Sequence, residues 1–285
     1  MIRVFRDICY ELFKLSNQKK NYIPLAGYLL FVLLCYVAFR ASLPTLAEML
    51  YGFDMNSSDA GKYLDGFFFA RIVLVPTFIV LMPIVMAALG GDCIAGEIQE
   101  GSLKLYMSRP RSRVRVILVK FIAVYGAGIL YSLFFSCAGL VIGILLFGLS
   151  PAQVLLMPGR VFGSTVTVMT NGEALIRYFS ATLYFSFSLM TLGAMALFFS
   201  TIFNRMSSAA IAVLTLYFVS YVTAALPFAG IIRPWLISEI MNNAFLFWLS
   251  PVPLGKLCIN VSILALYIFS FLIASVTRFN YKDIQ

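Results

Sequence analysis

The sequence predicts an all-α integral membrane protein: six transmembrane helices, an N-terminal amphipathic helix at the interface, and an outer re-entrant segment before the last span. Three observations predict it. Apolar residues make up 61% of the 285 and charged residues only 12%, and the mean hydropathy of +0.94 is far above the soluble average. Six uncharged runs approach or exceed the roughly 20 apolar residues that cross about 30 Å of hydrocarbon. Histidine is absent, which removes His-based general-base chemistry, the Ser-His-Asp triad and most zinc sites. The five cysteines contain no CxxC pair, so they form neither a disulfide framework nor a metal knuckle.

Residues 1–20 are too often interrupted by charge to be a signal peptide. On a helical wheel Ile2, Val4, Phe5, Ile8, Cys9, Leu12, Phe13 and Leu15 share one half. Arg3, Arg6, Asp7, Tyr10, Glu11 and Lys14 fill the other. That segregation suits an amphipathic helix lying flat at the membrane surface.

The spans are assigned to 22–39, 72–94, 118–147, 178–203, 207–229 and 257–277. In the second span, Pro76 and Pro83 each remove an internal hydrogen bond and predict a bend or hinge. Arg71 and Asp92 lie near the ends of that helix, close enough to an interface to snorkel or meet headgroups. The third span carries Gly139 and Gly143 four residues apart. The fourth carries Ser180, Thr182, Ser186, Ser188, Thr191, Ser200 and Thr201. Small and hydroxyl residues of this kind let membrane helices pack closely and hydrogen-bond.

In the first outer loop, residues 40–66, the acids Glu48, Asp54, Asp59 and Asp65 match no calcium-loop spacing and read as a solvated acidic loop. In the second outer loop, residues 149–177, Asn171-Gly172 reads as a turn before the fourth span. The alternating stretch 164–170 is assigned to loop, because an isolated strand has no partner. Residues 231–255, broken by Pro251 and Pro253, make an outer re-entrant or interfacial segment rather than a seventh span. Lysine and arginine are twice as numerous on the side that holds both termini, which predicts cytoplasmic termini. The basic excess of +9 then lies beside anionic headgroups and requires no nucleic acid partner.

The loop 96–115 carries two acids, a glycine and an apolar triplet among its bases. Gly101 stops the preceding helix, and Ser102 is placed to cap a short helix with Leu103, Tyr106 and Met107 on one face. Pro110 ends that helix, and Ser112 is placed to cap the next. A short capped helix with an exposed apolar face and basic flanks is a docking element for a cytosolic partner.

These residues resemble the corresponding loop of the permease subunits of type 2 ABC exporters. Glu97, Glu100, Gly101, Leu103, Leu105, Arg109, Pro110, Arg113 and Lys120 match the pattern. Ser102 keeps the hydroxyl of the usual threonine, and Tyr106-Met107 stand where leucines are usual. The amphipathic N-terminus ending in Lys19-Lys20 resembles that family's elbow helix, and Ser250-Pro251 resembles its outer re-entrant hairpin. The resemblance implies a transmembrane subunit of an ATP-driven exporter in the plasma membrane, with the bacterial inner membrane the expected setting. It implies coupling to a separate ATPase subunit through Glu97, Glu100, Gly101, Ser102, Leu103, Leu105, Tyr106, Arg109, Pro110 and Arg113. ATP and magnesium would sit on that subunit, and two permeases would pair as a homodimer or heterodimer. The residues agree with this division of labour. No GxxxxGK(S/T) occurs, since Gly61-Lys62 is followed by Tyr63 and Gly255-Lys256 by Leu257. The chain is therefore expected to be no enzyme and to hold no cofactor or metal. A membrane enzyme would need convergent catalytic groups at membrane depth. The alternative that stays open is a non-transporting anchor or signalling partner of an ATPase.

Overall fold

A computed structural model describes residues 2–51, 65–103, 112–150, 152–155, 167–249 and 251–282. In chain order the helices are α1 (Ile2–Asn17), α2 (Ile23–Tyr51), α3 (Gly66–Gln99), α4 (Arg113–Phe147), α5 (Asn171–Ile202), α6 (Met206–Ala225), the short α7 (Ile237–Asn242) and α8 (Leu254–Asn280). Six of them, α2 to α6 and α8, are long and apolar enough to cross a membrane.

Several helices extend past the apolar runs, because a helix ends where its backbone is capped rather than where hydrophobicity ends. Asp65 caps α3 by accepting from Phe68 N–H at 3.0 Å, and its other oxygen accepts from Ser150 N–H at 2.9 Å. Asp65 is thus a buried structural link, a correction to the solvated-acid reading. Ser112 caps α4 through Arg115 N–H, as its position predicts. Thr170 caps α5 through Glu173 N–H, so Asn171 and Gly172 lie inside the first helical turn instead of forming a separate turn. At the other extreme α6 stops at Ala225, short of 229, because a residue preceding proline, here Leu226 before Pro227, is pushed out of the helical region.

Two strands also appear where loop was expected. β2 (Thr167–Thr170) pairs antiparallel with β1 (Ala152–Leu155), Ala152 opposite Thr170. The partner was in the same loop, fifteen residues upstream.

α5 occupies the centre of the bundle, packed on α3, α4, α6 and α8. Its hydroxyl residues face neighbours as the composition suggests. Ser186 meets Ser132 of α4, and Thr182 lies 3.1 Å from Ser136 of the same helix. The two glycines of α4 have separate uses. A Cβ on Gly143 would stand 2.3 Å from the carbonyl oxygen of Gly66, and one on Gly139 would stand 2.7 Å from the Tyr28 hydroxyl. Arg71, far from snorkelling, is buried with its guanidinium over the rings of Phe67 and Phe68.

Between α6 and α8 the chain forms a 3-10 turn (Arg233–Trp235), α7 and a second 3-10 turn (Asn243–Trp248). Ile240, Leu246 and Trp248 are buried there. Arg177 of α5 donates to the carbonyl of Leu249 at 2.6 Å, and the Tyr184 hydroxyl donates to that of Ile240 at 2.9 Å. These bonds hold the segment against the central helix.

Candidate functional site

The described ends of the 96–115 segment lie beside α1 and the end of α8, and its root is held by charge. Glu97, on the last turn of α3, is almost fully buried and faces inward. Its Oε1 lies 2.6 Å from Lys120 Nζ of α4 and 2.6 Å from Lys14 Nζ of α1. Lys120 also lies 3.5 Å from Glu11 of α1. Two acids and two bases thus neutralise one another where a lone buried charge would be forced out or lose its charge. Asp7 and Arg115 add a pair at 2.7 Å, and Lys20 pairs with Asp92 at 2.8 Å.

This arrangement gives the charged face of α1 a destination within the bundle. Asp7, Glu11 and Lys14 follow one another at i, i+4 and i+7, a stripe on one helical face. That stripe is turned into α3 and α4 instead of outward, while Phe5 and Phe13 remain largely exposed. Burial works against the Lys14 ammonium, but the hydrogen bond and the charge of Glu97, with Glu11 behind them, raise its pKa above the ordinary lysine value.

The other end of the segment is tied as well. Arg113 donates to the carbonyls of Phe279, Asn280 and Lys282, which lie at and beyond the end of α8. A cation at a helix C-terminus satisfies carbonyls that have no partner within the helix. Lys282 in turn donates to the Thr201 carbonyl of α5 at 2.8 Å. Burial and the neighbouring Arg278 lower its pKa.

Above this joint α3 is broken twice by π-helical turns, a feature that often marks functional sites. The first, Thr77–Leu81, lies between Pro76 and Pro83. Pro83 has no N–H to offer the carbonyl four residues earlier, that of Ile79. The Tyr217 hydroxyl of α6 donates to that carbonyl at 2.8 Å. The second turn, Asp92–Gly96, has no proline. Here Ser200 of α5 accepts from the N–H groups of Ile94 and Ala95 at 3.0 and 2.7 Å and donates to the Gly91 carbonyl at 2.9 Å. Gly90 and Gly91 admit α5 and α6 this closely, since a Cβ on Gly90 would meet Ala196 Cβ at 2.4 Å.

Of the residues expected to meet a partner, Glu97, Leu103 and Arg113 are committed inside the chain. Leu103 is 1% exposed and belongs to the core, so its place on an exposed apolar face is corrected. It lies just after Gly101, whose φ of +73° turns the chain back on itself. Ser102 hydrogen-bonds the Glu97 carbonyl at 3.4 Å. Glu100 and Gly101 remain exposed. Leu105, Tyr106, Arg109 and Pro110 lie outside the described residues. Glu11, Lys14, Ser200 and Tyr217 were not singled out for this site from the sequence. The one available signal was the Asp7-Glu11-Lys14 stripe in a chain with only 12 acids.

The described ends of the 96–115 segment are therefore tied to α1, α4 and α8, and through Lys282 to α5. Comparison with curated proteins returned no match. A family model described as ABC-2 family transporter protein matches residues 21–260. That stretch runs from the turn before α2 into α8 and includes all of the 96–115 segment. On this match, and on the six membrane-crossing helices it accompanies, the chain belongs to the ABC-2 family of transporter proteins.

Proposed function

We propose that this ABC transporter permease is an exporter subunit driven by a separate ATPase subunit through the 96–115 segment. The termini and the segment face the cytoplasm, the membrane is the plasma membrane, and two permease copies enclose the pathway. ATP and magnesium belong to the partner subunit, and this chain supplies no catalytic residue. The observation that supports the reading is the double anchorage of the segment. Glu97 fastens its entry to α1 and α4, and Arg113 and Arg115 fasten its exit to α8 and α1. A push on the loop is then delivered to α3 and α4 together. In α3 it meets two π-turns whose backbone groups are held by single hydroxyls from α5 and α6. Such turns are places where a helix changes direction at low cost. A passive anchor has no need of them.

The docking contact falls on Glu100 and on the apolar pair Tyr106-Met107. Exclusion of water from apolar anchors dominates contacts of this kind. The test is a Tyr106→Asp/Met107→Asp variant co-expressed with the ABC ATPase subunit that wild type co-purifies with. The expected result is loss of co-purification, or hydrolysis uncoupled from transport, with membrane insertion unchanged. Retention of both full association and full coupled transport overturns the reading.

A further inference from the structure

A groove of about 580 Å³ runs between α1, the start of α2 and α4, within the roughly 300–1,000 Å³ typical of ligand sites. Leu12, Leu25, Leu89, Leu130 and Phe134 make it apolar along its length. One end is polar and fixed. Asn21 donates to the Leu15 carbonyl, and Tyr131 donates to the carbonyl of Asn21. Asn21 and Tyr22 belong to the turn Lys19–Tyr22, so the polar end sits beside two lysines. Lys20 is engaged with Asp92, whereas Lys19 is exposed. Among the described residues, no acid lines the groove. The mouth opens outward past Phe13, Tyr22 and Leu130, each more than half exposed. An apolar trough with a cationic, hydroxyl-bearing end complements an amphiphile with one alkyl chain and an anionic head.

We propose that this groove holds one anionic phospholipid of the bilayer, an acyl chain lying against Leu130 and Phe134 and the phosphate at Lys19 and Tyr22. The inference requires only that the chain spans a bilayer, and it stands or falls independently of the exporter reading. The bilayer is the committed source because α2, α3 and α4, which border the groove, are each long and apolar enough to cross a membrane.

The full chain, stripped in mild detergent and resupplied with equal phosphatidylglycerol and phosphatidylcholine, is examined by native mass spectrometry. The expected result is one tightly retained phosphatidylglycerol per chain. Its preference over phosphatidylcholine should be about fivefold, the fold-change one lysine near a charged surface supplies. Lys19→Glu is expected to abolish the preference, and Leu130→Trp to abolish retention by filling the trough from an exposed position. Val219→Trp, on an exposed part of α6, serves as a control for an added bulky side chain. Equal retention of the two lipids overturns the proposal, as does retention unchanged in both groove variants or lost equally in the control. Recovery of a non-phospholipid amphiphile in the groove overturns it too.

Discussion

Lys120 Nζ of α4 lies 2.6 Å from Glu97 Oε1 of α3, and the two side chains are 1% and 7% exposed. The ion pair at the root of the loop is therefore sealed inside the protein. Lys120→Met strands Glu97 and Glu11 without their shared cation, and breaking a buried pair from one side costs about 3–5 kcal/mol. Lys14 contacts the same oxygen but is one third exposed, so Lys14→Met is expected to cost no more than about 1 kcal/mol. Thermal unfolding in detergent compares the two, and equal losses contradict the burial argument.

The pH dependence of the Lys14 contact has a defined sign. Its pKa is raised in the folded protein above the usual 10.5. A raised ammonium pKa adds stability that is fully present below the unfolded-state value and lost as pH climbs through the folded one. The stability gap between wild type and Lys14→Met is expected to stay level from neutrality to about pH 9 and to close only in strong alkali. A gap that closes nearer neutrality contradicts this assignment.

Ser200 makes three hydrogen bonds to the second π-turn, whereas Tyr217 makes one to the first. Unsatisfied buried polar groups cost about 1–3 kcal/mol. Ser200→Ala is therefore expected to destabilise more than Tyr217→Phe in urea titration of the purified protein. The reverse order removes the argument that hydroxyls hold these turns.

Gly143→Ala places a Cβ against the Gly66 backbone, which has no flexible end to yield. Overpacking of this kind costs about 1–3 kcal/mol. Gly172, with open space around it, tolerates alanine and gains up to about 1 kcal/mol from it. Unfolding midpoints that move in the same direction for both refute the close approach of α3 and α4.

The membrane architecture was legible because an apolar run of membrane length has few other readings, and α1 because its two halves segregate cleanly. The destination of α1's charged stripe was not. A wheel assigns Asp7, Glu11 and Lys14 to a face but carries no record of Arg115 or Lys120, more than 100 positions away. Leu103 shows the same limit, since an apolar residue beside an exposed turn reads alike whether it faces a partner or its own core. Pro76 and Pro83 announced a break in α3. The break at Asp92–Gly96 has no proline and rests on a serine of another helix.

Photo-crosslinking tests the central claim most directly. A benzoylphenylalanine placed at Glu100, on the exposed turn of the loop, is compared with one at Phe228, exposed at the other end of the bundle, in membranes containing the chain and its ATPase. The account predicts an adduct with the ATPase from position 100 and none from position 228. Capture from 228, or none from 100 while the two proteins still co-purify, would contradict it.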